Sequence, residues 1–457
     1  MMSRTQEIAQ KQREFFLNNK TKDLKFRKEQ LLKLREAVRE YEERILDALA
    51  LDLNKSKYEG YMTEVGIVLE EISFVLKRFK RWAKPKRVKT PLTQFPAKSI
   101  IYKEPYGVVL IMSPWNYPFQ LAIAPLVGAI AAGNCALIKP SNYSPYTSEV
   151  ISEMIGKTFP EEYISVVLGG REANQDLLAQ KFDYIFFTGG TKVGRVVMEA
   201  ASKHLTPVTL ELGGKSPCIV DETAKIDLAA RRIVWGKFIN AGQTCVAPDY
   251  VLVQKSVKND LLTSMVKYVK EYFGKALEKD FRFPRIVNEK HFQRLLGLMG
   301  SGKLYYGGKS DPDLNRIEPT ILDEVDWDSP VMQEEIFGPI LPVLEFDSLD
   351  EVVRKVNARP KPLALYLFTT SKAKEKYILN SISHGGGCIN DTVVHLATHY
   401  LPFGGVGESG IGNYHGRASF DTFSHKKSIM KKSNLIDVPL RYPPFKDSLK
   451  LLKKFLK

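Results

Sequence analysis

Cysteine is scarce in this chain. There are four in 457 residues, Cys135, Cys218, Cys245 and Cys388, scattered and without a C-x-x-C pair. That spacing excludes a disulfide framework, and with no histidine clustered nearby it also excludes a zinc ribbon. The H-E-x-x-H pattern is missing too, so no metal is expected. Free thiols point to a reducing, cytoplasmic compartment. The N-terminal stretch MMSRTQEIAQKQREFF lacks the apolar run of a signal peptide, and its Glu7 and Glu14 argue against a transit peptide. No low-complexity stretch or repeat is visible. Long hydrophobic runs are nearly absent as well. The uncharged stretch at 121–138, LAIAPLVGAIAAGNCALI, is interrupted by Pro125, Gly128, Gly133 and Asn134. It reads as a buried helix running into a buried strand rather than as a membrane span.

Positive charge is in excess, at a net +15, but it is unevenly placed. Ten Lys/Arg and two Asp lie between His425 and Lys457, a net of +8. The body of the chain is only mildly basic and shows no basic groove interleaved with aromatics, so nucleic acid is not expected as a partner. The end, FKDSLKLLKKFLK, places Phe445, Leu449, Leu452 and Leu456 on one helical face with lysines opposite. Two readings stay open for residues 445–457: a helix docked on its own protein, or a peripheral contact with an anionic membrane surface.

What is present is an ordinary globular composition, 44% hydrophobic and 26% charged, long enough for two to three domains. After a charged helical region at 3–82, strand and helix patterns alternate from about 106 to 254. GVVLIM, CALI, SVVLG, DYIFF, TPVTLELGG and PCIVDE read as strands, and DLAARRIVWGKFI as a helix. TKVGRVVMEAASKH is also helical in period, with Val193, Val196, Val197 and Ala200 along one face. Such alternation implies an α/β fold with a parallel sheet covered on both faces. Ligands in such sheets bind at the carboxyl ends of strands, which directs attention to the loops at 113–118, 139–145 and 188–194. KRVKTPLTQFPAKSIIYKEPYG reads as an exposed hairpin leaving the main body.

Two apparent motifs fail. Gly405-x-Gly407-x-x-Gly410 follows no apolar strand and precedes no apolar helix, so it reads as a flexible loop. Gly214-Lys215-Ser216 lacks the upstream glycine of a phosphate-binding loop, where Thr209 stands instead. Three single residues carry more. Cys245, in NAGQTCVAPDY, is either a small buried hydrophobe or a reactive thiol on a loop between a helix and a strand. No histidine adjoins it, so activation would have to come from a carboxylate or from backbone dipoles. Glu211 interrupts an apolar strand just before two glycines, and is either a strand-end acid in water or held near a site. Asn116, in SPWNYP, either shapes a turn or donates to a developing oxyanion.

Taken together, PWNYP (114–118), IKPS (138–141), FTGGTKVG (187–194), ELGGKSP (211–217), GQTC (242–245), EEIFGP (334–339) and LPFGG (401–405) stand in the order found in one family. The chain resembles the NAD(P)-dependent aldehyde dehydrogenase superfamily from about residue 100 to 412. TCVAPDY and RYPPF are similar to its class-3 and fatty aldehyde branch. The resemblance implies a nucleophile at Cys245, a general base at Glu211 and an oxyanion donor at Asn116. It implies cofactor contacts, for NAD or NADP, at Trp115, Lys139, Gly189, Gly194, Glu335 and Phe337. Asn142 stands where many NAD-preferring members carry a glutamate, so NADP is expected to be tolerated.

The architecture implied is a Rossmann-like parallel-sheet NAD(P)-binding domain (1–84 and 105–211), an α/β catalytic domain (212–412) and a β-extension for oligomerisation (85–104 and 413–432). The basic amphipathic tail at 433–457 follows. A homodimer acting on small-molecule aldehydes, medium- to long-chain aliphatic or aromatic, is the expectation. The rivals are a semialdehyde or aromatic-aldehyde specialist, and a membrane-peripheral protein organised by the tail.

Overall fold

The computed structural model describes residues 3–444 and 449–456. Two open sheets dominate it. The first has six strands in the order Gly410–Ile411, Val208–Glu211, Tyr184–Thr188, Val108–Met112, Cys135–Lys139 and Ile164–Val166. All its pairings are parallel except that of Gly410–Ile411 with Leu210–Glu211. Val108–Met112 is central, and the chain builds outward from it first in one direction and then in the other. The switch point therefore falls between Val108–Met112 and Tyr184–Thr188, where the loops at 113–118 and 189–194 emerge side by side.

The stretch at 121–138 folds as its composition predicts. Helix Gln120–Ala132 is buried on every side, ends at left-handed Gly133 and leads into the buried strand Cys135–Lys139. Small residues permit this depth: at Gly128, a Cβ would meet Ser419 at 2.7 Å. The N-terminal helices cover the same sheet. Gln12 donates to the Ala136 carbonyl at 2.9 Å, Arg13 pairs with Asp183 at 3.2 Å, and Arg27 donates to the Ala131 carbonyl at 3.2 Å.

Helix Thr191–Ser202 packs differently from the expectation. Val193 and Val196 are exposed, and the buried residues are Gly194, Val197 and Ala201. The helix lies close on Leu212, which a Cβ at Gly194 would approach to 2.6 Å, so Gly194 with Val197 and Ala201, rather than Val193 and Val196, defines its inner face.

The second sheet has seven strands in the order Lys303–Tyr306, Thr320–Asp323, Ile340–Phe346, Tyr250–Gln254, Pro217–Val220, Ala364–Phe368 and Gly386–Ile389. It is parallel apart from the edge strand Lys303–Tyr306. A third, antiparallel sheet joins Lys86–Val88, Ala97–Pro105 and Ser424–Lys432, with Ala97–Pro105 in the middle.

Two boundaries differ from the sequence expectation. Residues 413–423, assigned there to the β-extension, pack on the first sheet's buried helix: Ser419 faces Gly128, and the Asn134 amide donates to the Phe423 carbonyl at 2.9 Å. Gly405–Gly410 is not a free loop. Leu212 N–H donates to the Ser409 carbonyl at 3.1 Å, and Gly410 pairs with Glu211. No described helix is long and apolar enough to cross a membrane. At the C-terminus, Leu449–Phe455 is helical with Leu449 and Leu456 exposed, while Phe445 lies outside the described residues.

Candidate active site

The cysteine loop leaves helix Ile226–Phe238 through a sharp reversal. Asn240, Ala241 and Gly242 all hold left-handed backbone, with φ of 53°, 52° and 72°. Only at the last of these does glycine remove the strain, and there it also gives room: a Cβ on Gly242 would run into the Gly338 carbonyl. The G-Q-T-C and F-G-P loops are thus pressed together, and Phe337 itself sits at φ 50°. Strain in non-glycine residues persists only where the surroundings enforce it, and it collects at functional sites.

Hydrogen bonds fix the loop from several sides. Gln243 is fully buried; its amide donates to the carbonyls of Asn240 (3.1 Å) and Arg285 (3.0 Å), and its oxygen accepts from Val287 N–H at 3.1 Å. The Asn116 amide donates to the Gln243 carbonyl at 3.0 Å, and the hydroxyls of Tyr117 and Thr244 lie 2.6 Å apart. The loop at 113–118, from the first sheet, is therefore bonded directly to the loop that carries Cys245. One hydrogen of the Asn116 amide is committed to Gln243, and an amide nitrogen carries two.

Beneath this contact lies a pair that sequence reading missed. Lys55 Nζ sits 2.6 Å from Glu64 Oε1, with both side chains wholly buried. The same ammonium donates to the Asn116 carbonyl at 2.9 Å, and Glu64 Oε2 accepts from Phe119 and Gln120 N–H. Glu59 adds a bond from Asn240 N–H at 2.8 Å. Lys55, Glu59 and Glu64 lie in a region whose pattern signalled only charged helices, and their partners Asn116, Phe119, Gln120 and Asn240 are tens of residues or more away in sequence.

Cys245 and Glu211 line one cavity. Its walls include Met62, Leu121, Trp235, Ile239, Val393 and Phe403, and no lysine or arginine contributes. Burial holds the Cys245 thiol up, and the carboxylates of Glu335 and Glu211 push it the same way; the N–H groups of Cys245 and Val246 favour the thiolate. Glu211 is buried with both carboxyl oxygens unpartnered, and burial raises it well above the ordinary carboxylate range. It is a strand-end acid enclosed in the site rather than one in water.

On the other side of Cys245 stand the expected cofactor residues. Glu335 rests on Gly213, where a Cβ would collide with its carboxylate, and burial beside Asp249 pushes it up to about 8. Trp115 packs edge-on against Phe337, with the ring centroids 5.4 Å apart. Lys139 is buried at its strand end, donates to the Pro140 carbonyl at 2.6 Å and is pushed down to about 8 by burial.

Gly189 lies over the Phe187 ring, 2.5 Å from where its Cβ would be, and Gly190 begins helix Thr191–Ser202 without a side-chain cap. The amides of Thr191 and Lys192 have no acceptor among the described residues, and no atom lies within 4 Å of where a Gly190 Cβ would stand. An uncapped helix N-terminus beside an open glycine turn, at the switch point of a parallel sheet, fits a dinucleotide pyrophosphate. Among the described residues no His, Cys, Asp or Glu cluster could hold a metal ion.

A Rossmann-like sheet with such a cradle, one of its own strands ending in an enclosed carboxylate and facing a thiol from a second α/β unit, defines a nucleotide-dependent oxidoreductase. The particular family follows from comparison. The aldehyde dehydrogenase family profile matches residues 3–429, and the chain belongs to that family.

It is 54% identical over 445 residues to 4,4'-diaponeurosporen-aldehyde dehydrogenase of Staphylococcus aureus, covering 97% of each chain. It is 47% identical over 446 residues to the dimeric NADP-preferring aldehyde dehydrogenase of Canis lupus familiaris, covering 97% of this chain and 98% of that one. Aldehyde dehydrogenase family 3 member A2 of Pongo abelii is 45% identical over 453 residues, with 97% and 93% covered. A solved structure, the substrate-bound state of Staphylococcus aureus AldH, superposes with a TM-score of 0.98 at 52% identity over 100% of both chains. The protein is an oxidoreductase acting on aldehydes with NAD or NADP, similar to class-3 members.

Proposed function

We propose that this enzyme oxidises medium- to long-chain aliphatic or aromatic aldehydes to free carboxylic acids through a thioester on Cys245. The observation that carries the reading is the apolar, cation-free cavity with Cys245 and Glu211 in its wall. A short semialdehyde would bring a carboxylate into that lining, where nothing neutralises it.

Because the thiol is held up, Cys245 gives its proton to solvent water as it attacks rather than resting as a thiolate. Sulfur adds to the aldehyde carbon, and the oxyanion of the thiohemiacetal is received by the second Asn116 amide hydrogen and the Cys245 N–H. Bound NAD or NADP supplies the acceptor for the hydride that leaves this carbon. Gly189, Gly194 and the amides of Thr191 and Lys192 would hold its pyrophosphate, Lys139 its adenosine ribose, and Glu335 with Phe337 and Trp115 its nicotinamide end. A thioester remains on Cys245. Glu211 takes a proton from the water that hydrolyses it, and a carboxyl raised by burial is the stronger base once ionised. NADH formation from decanal and from benzaldehyde, in wild type and Cys245→Ala, tests both claims. Turnover surviving in Cys245→Ala overturns the mechanism, and turnover of neither aldehyde overturns the substrate class.

Residues 1–84 and 105–211 would then bind the cofactor and 212–412 carry the thiol. The third sheet, with Ile429 and Met430 exposed, would meet a second copy in a homodimer, which sedimentation velocity measures. Four unpaired thiols support a cytoplasmic setting. Exposed Leu449 and Leu456 on the basic terminal helix favour a second reading, peripheral contact with anionic lipid. Liposome sedimentation with and without residues 433–457 decides it: equal binding of the two forms removes that contact.

A further inference from the structure

The substrate cavity shares part of its apolar wall with a neighbour. Trp235 and Val394 line it and also line a second, more open cavity together with Arg231, Arg232, Tyr272 and Asp391. Helix Ile226–Phe238 runs along both: Trp235 stands at the junction, Arg231 lies one turn farther out, and Ile239, which follows the helix, lines the inner cavity with Cys245. At 1.5 Å per residue, the seven steps from Phe238 back to Arg231 rise ~10 Å along the helix, the reach of an extended acyl chain rather than of a small aldehyde.

The two guanidiniums of this second cavity are in different states. Arg232 donates to the Asn390 carbonyl and lies 3.7 Å from the Asp391 carboxylate, so its charge is answered. Arg231 donates through Nε to the Tyr272 hydroxyl at 2.8 Å, which fixes its plane and leaves both terminal nitrogens without an acceptor among the described residues. Asp227, one turn before it, is engaged by Lys267 at 3.1 Å and by the Tyr268 hydroxyl at 2.6 Å. Glu271, also near Arg231, does not line the cavity; Asp391 does, and it faces Arg232. An oriented fork with free donors is matched to a carboxylate, which it can bind through two parallel hydrogen bonds.

We propose that Arg231 binds a carboxylate at the far end of a long-chain aldehyde, so that ω-oxo fatty acids are preferred over neutral aldehydes of the same length. This rests on the aldehyde-oxidising reading of Cys245. The hydrocarbon chain fills the cation-free cavity, the aldehyde meets the thiol and the distal carboxylate stays in the more open one. A four-carbon oxo acid cannot span the two ends and gains nothing.

The test is kcat/KM for dodecanal and for its ω-carboxylate analogue, measured in wild type, Arg231→Gln and Arg231→Lys. Wild type is expected to favour the oxo acid by about tenfold, as one charge-assisted contact provides, with the difference mainly in KM. The ratio falls to near one in Arg231→Gln and to an intermediate value in Arg231→Lys, and in wild type it shrinks as salt is raised. A wild-type ratio of one or below, or a ratio that Arg231→Gln leaves unchanged, overturns the proposal while leaving aldehyde oxidation intact. Failure of wild type to oxidise dodecanal at all is a different result and overturns both.

Discussion

The ammonium of Lys55 lies 2.6 Å from the carboxylate of Glu64, and neither side chain has any exposed surface. The pair also holds the Asn116 carbonyl and the first amides of helix Gln120–Ala132, so the loop bearing the oxyanion donor hangs from it. Removing one partner leaves a buried charge unanswered, which costs about 3–5 kcal/mol. Lys55→Met should therefore lower the urea midpoint and reduce kcat together, and adding Glu64→Gln should restore part of the stability. Lys55→Met unfolding at the wild-type midpoint would contradict this account.

Glu211 and Cys245 share a cavity but serve different halves of the proposed reaction. Glu211→Gln removes the base and keeps the shape. A burst of NADH equal to the enzyme concentration should persist, followed by steady turnover slower by roughly 10²–10⁴-fold. Hydroxylamine should rescue the slow phase by attacking the thioester directly. Absence of the burst would show that Glu211 acts before hydride leaves, most simply on the thiol itself.

Much of this site was legible because its parts lie on loops that close strands, where a polar residue in an apolar run stands out. Glu211 stood out in that way, whereas Cys245 and Asn116 each left two readings open and all three took their expected roles from the motif resemblance; the central strands and the helix at 120–132, whose lack of charge permits only burial, were plain. Three features were not. The Lys55–Glu64 pair joins residues to a loop some sixty positions away, and each alone reads as surface charge. The inner face of helix Thr191–Ser202 was misread because periodicity counts valines, whereas close packing on Leu212 selects Gly194. The Gly405–Gly410 turn looked free because its partner, the strand end at Glu211, is about two hundred residues upstream.

Gly242 combines a left-handed φ of 72° with a Cβ position blocked by the Gly338 carbonyl. Gly242→Ala must separate the cysteine loop from the Phe337–Gly338 loop or take up backbone strain of about 1–3 kcal/mol. Displacement by an ångström is enough to lose about 100-fold in rate. The expected phenotype is a folded protein with kcat down by that order and a raised KM for the cofactor, because Phe337 moves with its neighbour. Wild-type kinetics in Gly242→Ala would show that the two loops are not coupled.

Asn142 is exposed beside the glycine pair at 169–170, with its amide 3.5 Å from where a Gly170 Cβ would be. A neutral amide there does not repel a 2′-phosphate, so NADP and NAD should give kcat/KM values within a thousandfold of each other. Asn142→Glu places a carboxylate at the ribose and should cut kcat/KM for NADP by at least tenfold, an electrostatic penalty of about 1.4 kcal/mol, while changing NAD little. Equal losses for both cofactors would move the 2′-phosphate elsewhere.

Glu335 makes the stability of the cofactor-free enzyme depend on pH in a direction opposite to that of an ion-paired carboxylate. Burial, reinforced by Asp249, raises it from 4.5 to about 8, while Gly214 N–H and Lys215 only partly oppose the rise. In the unfolded chain this carboxyl has lost its proton above 4.5, whereas in the native state it keeps it until about 8. Across that window the native state binds more protons, so its contribution to stability is fully present below 4.5 and is lost as pH rises towards 8. Glu211, also raised by burial, slopes the same way, so the clean measurement is a difference. Tm of wild type relative to Glu335→Gln should fall steadily from pH 5 to pH 8, since the amide cannot titrate. Parallel Tm curves for the two proteins would mean that Glu335 is already ionised at pH 5 and that the field at Gly213 and Gly214 outweighs its burial.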